Sequence, residues 1–131
     1  MADIVKIDNN NIVNILNNNG GLDIGRPFLQ EIFLIEVHIA GTTHIDNMNE
    51  LEPKLIEGVE VQFFREPNNQ YDSRAIIVKD KDGNKLGYIP RDKNEILSRL
   101  MDAGKLLYGK VKNKEKIGEW CKIEMEVFLK D

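Results

Sequence analysis

The run Phe64-Arg-Glu-Pro-Asn-Asn-Gln-Tyr-Asp-Ser-Arg-Ala-Ile-Ile-Val78 is the densest concentration of chemically active side chains in the sequence. It places Arg65, Tyr71, Asp72 and Arg74 in or beside one turn-rich stretch. A tyrosine ring offers a stacking face to a base, an arginine bonds phosphate, and a carboxylate accepts from a sugar hydroxyl. The same residue types also serve a structural end, because Asn and Asp side chains bond nearby backbone amides and stabilise long turns. Nucleophiles are few. Ser73, Ser98 and Cys121 are the candidates; Ser98 falls within a helical pattern and Cys121 on the inward side of a strand, where a cysteine acts as a small apolar residue. His38 falls on the outward side of a strand beside Glu36, and His44 in a polar loop. No nucleophile–base pair emerges, so catalysis is not expected. No glycine-rich phosphate loop occurs. One cysteine excludes an intramolecular disulfide, and with two histidines the chain lacks the set for a structural zinc site, so neither metal nor cofactor is expected.

The chain has 131 residues and a net charge of −4, with 18 Lys and Arg against 22 Asp and Glu. A nonspecific nucleic-acid binder is usually basic. The charge is uneven, however. Residues 53–116 hold 14 basic and 10 acidic residues, whereas residues 1–52 hold 2 and 8. Any anion site is therefore expected in the middle of the chain. No apolar run approaches the ~20 residues that span a bilayer. The start, Met-Ala-Asp-Ile-Val-Lys-Ile-Asp-Asn-Asn, has neither the basic region nor the apolar stretch of a secretory signal, so a cytoplasmic location is expected.

The elements that must position these residues follow from periodicity. Seven of the first 19 residues are Asn, and Gly20-Gly21 follows; residues 1–30 read as a loosely ordered Asn-rich arm, and residues 31–131 as the folded domain. From Glu31, alternation sets Phe33, Ile35, Val37 and Ile39 on one face of a strand. Asn47 to Ile56 reads as a short helix with Pro53 in its first turn. Strands are expected over 59–65, 74–79 and 85–89, the last two joined by a hairpin at Asp82-Gly83. Asp92 and Glu95 form an acidic capping box before Ile96, Leu97, Leu100 and Met101, which predicts a helix over 93–103 stopped by Gly104. Strands at 106–111 and 120–129 close the pattern, with Lys112 to Lys116 as a polar connection between them. Cys121, Ile123, Met125, Val127 and Leu129 face inward. Six short strands with one or two helices, in mixed order, predict a mainly β (α+β) chain: an antiparallel sheet that curls into a small OB-like β-barrel and so removes its exposed edges.

Together, Arg65 to Val78, Gly83, the run Leu86-Gly-Tyr-Ile-Pro-Arg91, the helix ending Met101-Asp-Ala-Gly104, and the upstream Ile39-Ala-Gly41 resemble the HIRAN domain over residues 31–129, closest to the small bacterial members that consist of little more than this domain. The resemblance implies a barrel related to OB-folds, and single-stranded DNA, notably its 3′-hydroxyl end, as the partner that HIRAN domains of large fork-remodelling ATPases bind. It implies a place in DNA repair or replication-fork processing. Tyr71 and Asp72 stand where the family pair helps hold the terminal nucleotide. Tyr88 and Arg91 occupy the stretch that supplies further base and phosphate contacts. After Gly41, where DNA-binding members carry stacking aromatics, this chain reads Thr42-Thr43-His44-Ile45; His44 is the one ring there, and a pair of tyrosines is missing. At ~1–3 kcal/mol of stacking per base, that loss predicts weak binding. The site expected is one concave surface shared by Arg65, Tyr71, Asp72, Tyr88 and Arg91, with Arg74 and His44 contributing. The alternative is a protein-interaction scaffold whose DNA site has eroded.

Overall fold

The computed structural model describes residues 30–130. The Asn-rich arm therefore lies, but for Gln30, outside the described residues. Six strands form one antiparallel sheet: β1 (Glu31–His38), β2 (Glu60–Arg65), β3 (Ile76–Lys79), β4 (Lys85–Tyr88), β5 (Leu106–Ile117) and β6 (Trp120–Lys130). Their order across the sheet is β1-β6-β5-β2-β3-β4. The sheet curls until its two edges meet. Just past β1, Ala40 pairs with Tyr88 of β4, its N–H donating to the Tyr88 carbonyl at 2.7 Å and its carbonyl accepting from the Tyr88 N–H at 2.9 Å. This is the expected OB-like barrel, closed by one bridge. Its core includes Ile39, Val61, Ile76, Val78, Leu86, Ile123 and Met125, all fully buried.

The inward pattern of β6 is as its alternation predicts, from Cys121 through Val127. That of β1 is not. Its register against β6 jumps from Phe33↔Phe128 to Ile35↔Val127. Leu34 is thus an extra residue, and such a bulge reverses the facing of every side chain before it. Phe33 points outward, 52% exposed, with its ring edge-on to Phe128 at 5.9 Å. Strand β5 runs six residues beyond its expected end. Lys112 to Lys116, read as a connection, instead pairs with β6 as a two-stranded ribbon that turns between Ile117 and Trp120.

The helix expected over 47–56 is shorter. Helix α1 (Met48–Leu51) gives way at Glu52 to a 3₁₀ turn that contains Pro53, so the proline ends the α-helix rather than opening it. The β3–β4 hairpin turns on Asp80, whose carboxylate accepts from the N–H groups of Asp82 and Asn84 and from the Asn84 amide; Gly83 supplies the left-handed φ of 87°. Helix α2 (Asn94–Asp102) begins without a side-chain cap. The capping box of Asp92 and Glu95 does not form. A 3₁₀ turn over Arg91–Lys93 precedes the helix, and Glu95 pairs instead with Arg99 at 3.2 Å. Leu97 is buried against the core, with Leu100 and Met101 partly so, while Ile96 is 70% exposed. Among the described residues, no helix is long and apolar enough to cross a membrane.

Candidate nucleic-acid interface

A cleft of about 420 Å³ opens where the barrel closes. Its apolar lining comes from the closing bridge and its neighbours: Ala40, Gly41, Ala75 and Ile89. Its polar lining comes from Asn69, Tyr71 and Asp72 of the β2–β3 loop, and from Tyr88 and Arg91. The bridge needs a residue without a side chain beside it. A Cβ on Gly87 would overlap the Ala40 carbonyl oxygen and come within 2.7 Å of Ile39 Cγ2.

The loop is built around Asn69. Its side-chain oxygen accepts from the N–H groups of Tyr71 at 2.8 Å and Asp72 at 3.0 Å. Its amide donates to Glu66 Oε1 at 2.6 Å. This local bonding holds the backbone while leaving the Tyr71 ring in solvent, 77% exposed. The Tyr71 carbonyl accepts from Arg91 Nη2 at 3.2 Å.

Asp72 is engaged on both oxygens. Oδ1 accepts from the Arg74 N–H at 3.0 Å. Oδ2 accepts from the Asn94 amide at 2.8 Å and lies 3.8 Å from Arg91 Nε. The backbone N–H of Arg74, then the Asn94 amide, hold its carboxyl below the usual aspartate value, with burial opposing and the charges of Arg91 and Arg74 adding. Tyr88 donates its hydroxyl to Glu66 Oε1 at 3.0 Å and accepts from Lys85 Nζ at 3.0 Å. Lys85 also sits 4.4 Å above the Tyr88 ring. Glu66 is lowered in turn, chiefly by the Asn69 amide, against burial and with help from Tyr88 and Lys85. Both carboxylates are ionised at neutral pH. The cleft thus presents the Tyr71 ring, the Asp72 carboxylate and the Arg91 side chain, 76% exposed, while Glu66, outside the lining, holds Asn69 and Tyr88 in place.

Tyr71, Asp72, Tyr88 and Arg91 therefore line one concavity. Arg65 does not line it. Its Nε and Nη2 donate to the two oxygens of Asp102 at 2.9 and 3.3 Å, Nη1 donates to the Ala75 carbonyl at 2.7 Å and Nη2 to that of Ser73 at 3.0 Å. With its donors spent on protein acceptors, Arg65 braces the loop from outside the cleft. Arg74 gives the cleft only its N–H, through Asp72. His44 closes a 3₁₀ turn, Thr42–His44, and its side chain is not part of the lining; the turn is anchored instead by Thr42 Oγ1, which donates to the Cys121 carbonyl at 2.8 Å. His38 packs edge-on to Trp120 at 6.1 Å. Cys121 is buried, and burial pushes its thiol up. Among the described residues, no group of three or more His, Cys, Asp or Glu side chains is placed to hold a metal ion.

Sequence reasoning missed Asn69 and Asn94. Asn69 is one of two adjacent asparagines, and nothing local distinguishes the one that turns inward. Asn94 opens a helix and reads as an ordinary first-turn residue.

A curled six-stranded antiparallel sheet with a mixed aromatic and charged cleft at its closure defines a small OB-like barrel module. The chain belongs to the HIRAN domain family, whose model matches residues 32–130. A crystal structure of a protein from Lactobacillus plantarum is similar at 31% identity and a TM-score of 0.73, over 79% of this chain and 98% of that one. The HIRAN domain of human HLTF is similar at 20% identity and a TM-score of 0.59, over 76% of this chain and 78% of that one. The HLTF HIRAN domain in its DNA-bound conformation is similar at 21% identity and a TM-score of 0.51, over 75% and 78%. At such identities the HLTF comparisons carry the fold. No curated protein matches with statistical significance.

Proposed function

We propose that the protein is a non-catalytic module that binds single-stranded DNA weakly, taking its 3′-hydroxyl end in the cleft at the barrel seam, in the service of DNA repair or fork processing. Tyr71 stacks on a base near the end, Arg91 bonds phosphate, and Asp72 accepts from the terminal hydroxyl. The observation that carries the reading is the presentation of Tyr71: an aromatic ring 77% in solvent on a loop whose backbone is fixed on both sides, by Asn69 and by Arg91. A ring held in solvent on a fixed backbone, at the mouth of a cleft, is available for a base to stack on. The existence of an HLTF HIRAN domain in a DNA-bound conformation supports the same partner.

Arg91 in the cleft, and Lys85 behind Tyr88, offset the carboxylates of Asp72 and Glu66, so electrostatics adds little affinity. With two phosphate contacts, log K is expected to fall about 1.4 per decade of salt, roughly sevenfold between 50 and 200 mM. Fluorescence anisotropy with single strands bearing a free or a phosphorylated 3′ end tests this. The free end is expected to bind more tightly, because a carboxylate accepts from a hydroxyl and repels a phosphate. Absence of binding to any single strand at about 100 µM protein and 50 mM salt, where nonspecific contacts are usually visible, rejects the reading in favour of a protein-interaction scaffold.

A further inference from the structure

The loop that carries Tyr71 and Asp72 is fastened to both ends of α2, by Asn94 and Asp102, neither of which lines the cleft. Asn94, the first residue of α2, is 1% exposed. Its amide is not spent on capping its own helix but reaches the Asp72 carboxylate at 2.8 Å. At the other end, Asp102, the last residue of α2, holds the Arg65 guanidinium by two hydrogen bonds, and that guanidinium grips the Ser73 and Ala75 carbonyls. Side chain 72 and carbonyls 73 and 75 are thus tied to one rigid element, itself seated on the core through Leu97, Leu100 and Met101.

We propose that α2 is the template that sets the loop's conformation, with Asn94 a positioning residue for Tyr71 and Asp72 and the Arg65–Asp102 pair its second latch. The role of these latches in binding rests on the nucleic-acid reading above. A loop set in advance spares the ligand the entropy of ordering it. The chemistry at position 94 is specific. An amide there donates to Asp72, whereas a carboxylate of the same shape would set two anions against each other.

The test uses the full chain with two variants, Asn94→Asp and the exchange Asp72→Asn/Asn94→Asp. In the exchange the donor and acceptor trade places: the new amide at position 72 donates to the new carboxylate at position 94, and the carbonyl oxygen of that amide still accepts from the Arg74 N–H. Deuterium uptake over residues 66–75 reads the loop without any ligand. Anisotropy with an oligothymidine bearing a free 3′ hydroxyl reads binding. Asn94→Asp is expected to speed uptake in the loop by about tenfold or more, the scale of one lost hydrogen bond to a charged group, while uptake over β5 and β6 stays as in wild type. It is expected to weaken oligothymidine by a similar factor. The exchange is expected to return loop uptake to the wild-type rate, a rescue that general destabilisation would not give. Wild-type uptake in Asn94→Asp overturns the proposal, and so does an exchange variant that keeps its fold but leaves the loop fast. A looser loop that binds oligothymidine as well as wild type overturns the positioning role. If wild type itself binds no strand, the nucleic-acid reading fails, and uptake in the two variants still decides whether α2 sets the loop.

Discussion

Tyr71→Ala separates binding from folding. The side chain is 77% exposed, and the bonds that hold its segment involve its backbone N–H and carbonyl, not its ring. Truncation removes little that folding buries, so stability is expected to change by no more than about 0.5 kcal/mol. For a domain of this size that is a shift of a few degrees in Tm at most, at roughly 4–8 °C per kcal/mol. Binding is a different matter. A base stacked on one ring contributes ~1–3 kcal/mol, so Kd should rise between about fivefold and 150-fold. Stacking ignores base identity, so the loss should be similar for oligothymidine and oligoadenine. Anisotropy titrations of both strands, paired with thermal melts followed by circular dichroism, measure the two quantities. A melt lowered by about 10 °C or more would show that the ring is a packing residue. An unchanged Kd with an unchanged melt would show that nothing stacks there and would remove the main support for the binding site.

Gly87→Ala should lower Tm by several degrees or prevent folding, since its Cβ meets the Ala40 carbonyl and the Ile39 side chain across the seam, and overpacking of this kind costs about 1–3 kcal/mol; a melt read by circular dichroism measures it. Asp72 and Glu66 are held below their ordinary values of 3.8 and 4.5, so their stabilisation is present above those values and lost as pH falls through the lower folded ones. Tm should therefore decline more steeply below pH ~4.5 than in an Asp72→Asn/Glu66→Gln variant measured over the same range. The Cys121 thiol, buried and pushed up in pKa, should react with iodoacetamide at pH 7.5 far more slowly in the folded protein than in urea, as mass spectrometry over time would show.

The parts of the fold legible in the sequence are those with an uninterrupted period. Strand β6 alternates without a break, and its inward face follows. Strand β1 carries the same signal, but one extra residue at Leu34 moves Phe33 to the outer face, and a bulge leaves no mark in a run of apolar residues. The outer half of β5 has no apolar alternation at all; it is a strand because β6 offers it a partner. For the candidate site, the β2–β3 loop was legible because aromatic and charged residues are crowded there, and Tyr88 and Arg91 only through the resemblance to the HIRAN domain. The destination of Arg65 was not, because its partner Asp102 lies 37 residues away and only the fold brings them together. Asn94 is the same case from the other side: it reads as an ordinary first-turn residue, and its acceptor Asp72 lies 22 residues away.

The position of the cleft follows from how the barrel closes. Two strand edges that meet along a full ladder leave no room between them. Here the meeting is one bridge, Ala40↔Tyr88. On one side Gly41 turns away at once with a φ of 79°, into the turn anchored on Cys121. On the other, Pro90 has no N–H to continue the ladder and starts the turn that leads to α2. The two backbones must part, and the gap they leave is lined by residues too small to fill it, Ala40, Gly41 and Ala75. The neighbouring β2–β3 loop, fixed by Asn69 within and by α2 from behind, then has an open space into which to present Tyr71 and Asp72. The cleft is thus a consequence of incomplete closure: the hydrogen bonds the seam does not make are what leave it open.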